Sequence, residues 1–126
     1  MLAQSTAARS AYARPEAPHR NPRSLEYDLL ARSTNRLSQA AQGGTQALPA
    51  LLAALDDNQS LWSTFAHDVA MPENGLPAKL RAQLFYLYEF TAQHSRAVRA
   101  GKASVDVLID INTAVMRGLR GQGAGV

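Results

Sequence analysis

The stretch Asn58-Gln59-Ser60-Leu61-Trp62-Ser63-Thr64-Phe65-Ala66-His67-Asp68-Val69, followed shortly by Asn74-Gly75-Leu76-Pro77, decides the fold. Its apolar residues recur at helical spacing, and it holds the chain's one tryptophan. One polar residue, Asn58, lies on the same stripe. Pro72, Asn74 and Gly75 then break the pattern, and Pro77 suits the first position of a new helix. The segment therefore reads as a helical hairpin.

Working outward, the periodicity predicts a helix from about Gln46 to Val69, with Pro49 tolerated in its first turn. Its stripe is Leu48, Leu51, Leu55, Trp62, Phe65, Ala66 and Val69. An earlier helix starts at Asn21 as N-cap, with Pro22 behind it, and stops at Gly43-Gly44 after Gln42. Leu25, Leu29, Leu30, Leu37, Ala40 and Ala41 form its apolar face, with Glu26 in the middle. A third helix runs from Pro77 to about Ala100-Gly101 on the stripe Leu80, Leu84, Leu87, Tyr88, Thr91, Ser95 and Val98. A fourth follows Ser104, with Asp106 favouring the dipole of its first turn. It carries Val105, Leu108, Ile111, Val115 and Leu119 and is expected to stop at Gly118 or Gly121. No segment alternates in polarity as a strand would. The expected fold class is all-α, a small bundle of about four main helices with a basic, partly ordered N-terminal segment.

The chain has 126 residues, enough for one domain, with a net charge of +3 and no cysteine. The charge is uneven. Residues 1–23 hold four arginines (Arg9, Arg14, Arg20, Arg23) against Glu16, and the remainder balances at nine basic and nine acidic side chains. Residues 3–13 can form a short helix with Ala7, Ala8, Ala11 and Tyr12 along one side, and the prolines at 15, 18 and 22 make residues 14–21 an extended linker. The expected organisation is an N-terminal segment over 1–20, a bundle over 21–120 and a flexible tail over 121–126. No apolar run approaches the ~20 residues of a membrane span. The absence of cysteine fits a cytoplasmic protein.

Catalytic and metal chemistry find little support. His19, His67 and His94 are scattered, and no second ligand stands at metal-binding spacing. Ser63 and His67 are four apart on a polar helix side, without a third group to orient them. Asp56 and Asp57 are adjacent and project in different directions. Gly43-Gly44 lacks the rest of a phosphate loop. The expectation is a protein without enzyme activity, metal or cofactor. For RNA, the candidate is the modest cluster Arg96, Arg99 and Lys102, which helix-dipole compensation at a C-terminus explains equally well.

The third helix carries a better clue. Away from its main stripe and its charged sector lie Ala82, Tyr86, Phe90 and Ala97. Tyr86 and Phe90 are four apart and so adjacent in space. A helix apolar on several sides is either central in a bundle or presents a second face to a partner. Tyr86 and Phe90, with Ala82 and Ala97 beside them, are the expected partner-binding residues, and Tyr12 is a further anchor. Trp62 and Phe65 are expected in the core. Asn58 and Glu26 sit on buried stripes and need hydrogen-bond partners there, Asn58 at a helix terminus or between helices.

At these residues the chain resembles the FlaF family of alphaproteobacterial flagellar biosynthesis regulators. The matching elements are Ala11-Tyr12; Pro22-Arg23 with Leu25-Glu26; Asn58 with Leu61-Trp62 and Phe65; Asn74 with Leu76-Pro77; Leu80-Arg81; and Ile109-Asp110-Ile111-Asn112 with Gly118-Leu119. They run in order from about residue 8 to about residue 120. Ser24, where the family tends to have Glu, and Gly75, inside the Asn-to-Leu-Pro turn, depart from the pattern. The resemblance implies a cytoplasmic factor needed for flagellin to be made and exported, acting opposite the regulator FlbT. Two mechanisms fit: a flagellin-binding secretion chaperone, or post-transcriptional control of flagellin messenger RNA, direct or through FlbT. A neutral body argues against direct RNA binding, which draws on many phosphate contacts. Surplus apolar and aromatic surface suits a partner helix such as a flagellin end.

Overall fold

The computed structural model describes residues 22–123. Tyr12 and the expected N-cap Asn21 lie outside them. Among the described residues there are four α-helices, one 3-10 turn and no strand. The helices are α1 (Pro22–Gln42), α2 (Leu48–Ala70), α3 (Ala78–Arg99) and α4 (Asp106–Gly123), with the 3-10 turn Gly44–Ala47 between α1 and α2. None is long and apolar enough to cross a membrane. The all-α bundle expected from the periodicity is the fold.

Local chemistry explains the boundaries. Gly44 adopts φ 66°, a left-handed conformation that ends α1 at little cost for glycine. At Gly43 an added Cβ would stand 2.4 Å from that of Ala47, so only glycine permits this close return. The 3-10 turn takes up Gln46 and Ala47, and α2 begins two residues later than expected, with Pro49 in its first turn. Gly101, at φ 74°, ends α3 in a Schellman arrangement. Its N–H reaches the Val98 carbonyl at 3.0 Å, and the Lys102 N–H reaches that of Ala97 at 2.9 Å. Ser104 Oγ accepts from the Asp106 N–H at 3.0 Å and caps α4 as expected.

Two expectations are corrected. α4 does not stop at Gly118 or Gly121 but runs to Gly123. Packing against α1 carries it on, for Leu119 joins the cluster of Leu30, Trp62 and Phe65, and the Arg120 guanidinium lies 5.8 Å over the Tyr27 ring. The other concerns the ends of the stripes. Leu48 is 50% exposed and Ala41 is exposed, both at the α1–α2 corner.

α1 packs along both α2 and α4, and α3 packs along α2. The core has two apolar parts. Leu37, Ala40, Ala54, Leu55, Val98, Val105 and Leu108 close one end. Leu30, Trp62 and Phe65 centre the other, Trp62 and Phe65 meeting edge-to-face at 5.8 Å.

Between these parts runs a buried polar belt. Trp62 Nε1 donates to Asn112 Oδ1 at 2.9 Å, Asn112 Nδ2 donates to Asn58 Oδ1 at 2.8 Å, and Ser33 Oγ donates to the same oxygen at 3.0 Å. The indole fixes the direction of the whole relay. It can only donate, so Asn112 must offer its oxygen there and its nitrogen to Asn58. Asn58 thus has the interhelical role expected of it, and its partners are side chains of α1 and α4 rather than a helix terminus.

Candidate functional site: an apolar groove between diverging helices

α3 and α4 are joined at the closed end, where Val98, Val105 and Leu108 share one cluster. Away from that loop they diverge and touch little. The C-terminal half of α3 lies close on α2 through Thr91, Ser95 and Val98, all buried. Its N-terminal half carries larger side chains, Leu80, Leu84 and Leu87, only half-buried. Across from them α4 offers the small residues Ala114 and Gly118, which cannot fill the gap. A Cβ built on Gly118 meets nothing within 4 Å.

The result is a groove of about 370 Å³. Phe65 and Val69 of α2 form part of its lining, Leu76 stands at its loop end, Leu80, Leu84 and Leu87 line the α3 side, and Ile111, Val115 and Leu119 line the α4 side. Two carboxylates join this apolar lining. Glu26 reaches it from the first turns of α1 and is 7% exposed, and Asp68 reaches it from the end of α2.

The loop from Met71 to Pro77 positions the mouth. Asn74 Nδ2 donates to Asp68 Oδ2 at 3.1 Å, and Asn74 Oδ1 accepts from the Leu76 N–H at 3.0 Å. This Asx turn directs the chain into α3 and sets Leu76 at the groove. A Cβ built on Gly75 meets nothing within 4 Å, so the turn does not depend on glycine there and rests on the Asn74 side chain.

The expected partner residues on α3 divide. Tyr86 is 64% exposed and Ala82 is exposed. Phe90 and Ala97 are half-buried, Phe90 stacked on the His94 ring with centroids 5.6 Å apart. Gln83 lines the groove, and Tyr86 follows it by three residues, as Phe90 follows Leu87. Such pairs are surface neighbours on a helix, so Tyr86 and Phe90 lie beside the α3 wall without lining the groove. Phe85, 40% exposed and tilted against Tyr88, was not singled out from sequence; it lies within the charged sector, one turn from both Arg81 and Glu89.

Trp62, Phe65, Asn58, Asn112 and Glu26 are buried. Pro77 is the residue before α3 and does not cap it through a side chain.

Several polar side chains outside the groove have structural partners. Arg99 pairs with Asp56 and Arg36 with Asp57, so the adjacent aspartates serve different helices. Arg99 is thereby drawn from the basic cluster at the end of α3. His94 Nε2 donates to the Ser104 carbonyl at 2.7 Å and ties the α3–α4 loop. Among the described residues no group of three or more His, Cys, Asp or Glu is arranged to hold a metal ion.

No curated protein and no solved structure matches the chain. A family model described as flagellar protein FlaF matches residues 8–119. That match spans the whole bundle up to Leu119, including the polar belt, the Asn74 turn and both walls of the groove, and the chain belongs to the FlaF family of flagellar proteins.

Proposed function

We propose that this protein is a flagellin-binding chaperone and regulator, and that the groove between α3 and α4 takes an amphipathic helical end of flagellin. Membership of the FlaF family gives it a part in flagellar biosynthesis and its regulation. One observation carries the finer reading. Apolar stripes that would close on each other in a finished bundle, Leu80-Leu84-Leu87 and Ile111-Val115-Leu119, stand apart across an open groove.

An amphipathic helix anchors itself in such a groove through residues at i, i+3 or i+4, and i+7. The resemblance implies flagellin as the partner, and flagellin ends carry stripes of this kind. Each apolar anchor fully removed from water stabilises the complex by ~1.5–3 kcal/mol. Tyr86 and Phe90, beside the α3 wall, add rim contacts. The chaperone action is steric. The covered end of flagellin cannot aggregate or polymerise until release at export, and sequestered flagellin cannot act on its own synthesis.

The test is co-purification with flagellin. Leu84→Glu places a charge in the groove wall and abolishes recovery of flagellin while the helical circular-dichroism signal is kept. The double variant Tyr86→Ala/Phe90→Ala reduces recovery without abolishing it. Undiminished recovery with Leu84→Glu contradicts the reading. Loss with the double variant alone moves the site to Tyr86 and Phe90 on α3.

A further inference from the structure

We infer, on the reading of the groove as a helix-binding site, that Asp68 makes it selective: the groove favours a partner helix that carries a Lys or Arg one turn beyond its apolar stripe.

The lining is one-sided in charge. Among the described residues it includes two carboxylates and no Lys, Arg or His. Glu26 is buried and already engaged within the chain, so it asks nothing of a partner. Asp68 differs. It is exposed at the end of α2, and among the described residues its carboxylate has one hydrogen bond, accepted by Oδ2 from Asn74 Nδ2 at 3.1 Å. An ionised carboxylate offers about four lone-pair sites on its two oxygens, so Oδ1 keeps its full accepting capacity. The neutral Asn74 amide orients the group without cancelling its charge. Arg120, in the last turns of α4, stands over the Tyr27 ring and does not line the groove.

The position of Asp68 sets where the cation belongs. The walls run from Leu80 and Leu119 at the open end to Leu87 and Ile111 toward the α3–α4 loop. Asp68 is bonded to Asn74, six residues before Leu80, and so lies on the outer side of that leucine. From Leu80 to Leu87 the α3 wall advances ~10 Å, about two turns. A helix that fills it presents anchors at i, i+3 or i+4, and i+7. The next turn outward leaves the leucines and comes over the carboxylate.

The residue in that turn decides between partners. An apolar side chain there would take water from Asp68 and give it no bond in return. An acid would be repelled. A Lys or Arg lays its stem along the apolar mouth and keeps its charged end at the carboxylate. An exposed pair of this kind adds about threefold in affinity. Its larger effect is discrimination, because a helix with the wrong charge in that turn is refused.

The experiment titrates the isotope-labelled full chain with monomeric flagellin. Calorimetry gives the affinity, and the methyl shifts of Leu84 and Val115 report groove occupancy. Asp68→Asn keeps an oxygen for the Asn74 amide and removes the charge. It should weaken binding about threefold at ~0.05 M salt, with the difference gone at ~1 M. Asp68→Lys should weaken it by about tenfold or more at the lower salt. Asn74→Ala removes the Asx turn and keeps the charge, so it should retain the parent's salt dependence, which a merely structural role for Asp68 would not produce. Parental affinity of Asp68→Asn at low salt, with the groove methyls still shifting, overturns the selectivity and leaves the groove as a helix site. Flagellin that leaves those methyls unshifted in the parent overturns both readings.

Discussion

The indole N–H of Trp62 and the side-chain oxygen of Asn112 meet at 2.9 Å across 50 residues of sequence, both residues at zero exposure. This bond joins α2 to α4 and orients the Asn112–Asn58–Ser33 relay that reaches α1. Three of the four helices are thus registered by polar contacts inside the core. A buried relay of this kind discriminates against slipped packings, since a shift of one turn would strand every member.

Trp62→Phe keeps most of the ring volume and removes the donor. Asn112 Oδ1 is then buried without a partner, which costs ~1–3 kcal/mol beyond any packing loss. Urea unfolding monitored by circular dichroism should show that loss in the midpoint with an unchanged slope. A shift below about 0.5 kcal/mol contradicts the relay as a stabilising element.

Asn58→Ala and Asn112→Ala each strand a neighbour in the relay, and each should destabilise by ~2–4 kcal/mol. The double variant should cost less than the sum by ~0.5–3 kcal/mol, the coupling expected of residues in one network. Strict additivity in a double-mutant cycle would mean that the two amides act independently.

Gly118 separates stability from binding. It sits inside α4 with open space at its Cβ position, so Gly118→Ala should raise stability by ~0.5–1 kcal/mol through helix propensity. Gly118→Leu projects a side chain into the groove. It should keep the unfolding midpoint at or above that of the parent while lowering flagellin affinity at least tenfold, measured by calorimetry. Undiminished affinity with Gly118→Leu places the partner elsewhere.

Surface ion pairs should matter little. Arg99→Gln and Arg36→Gln remove the pairs with Asp56 and Asp57, whose carboxylate side chains are both more than half exposed. Thermal melts should shift by no more than the equivalent of ~1 kcal/mol each.

Much of the fold was legible because its punctuation is local. Gly44 and Gly101 stop the chain through their own backbone preferences, Asn74 turns it through its side chain, and Leu30, Leu55, Trp62 and Leu108 mark buried faces by period alone. The extension of α4 past Gly118 and Gly121 was not legible, because contacts with α1 override the glycine penalty. The partners of Asn58 lie 25 and 54 residues away, and no spacing rule identifies them. The groove was hidden for a related reason. Leu80, Leu84 and Leu87 read as core whether or not α4 covers them, and helix divergence depends on which side chains face each other across the gap. Ala114 and Gly118, small residues one turn apart on α4, were the available signal. Tyr86 and Phe90 were singled out from sequence by their place on α3; Tyr86 is exposed, Phe90 is half-buried, and neither is part of the groove lining.

The most direct test is a methyl-resonance titration of the isotope-labelled full chain with flagellin. The account predicts that Leu80, Leu84, Leu87, Ile111, Val115 and Leu119 shift together and saturably, with Leu37, Leu55 and Leu108 of the closed end unmoved. Saturable binding that leaves those six residues unshifted would contradict it.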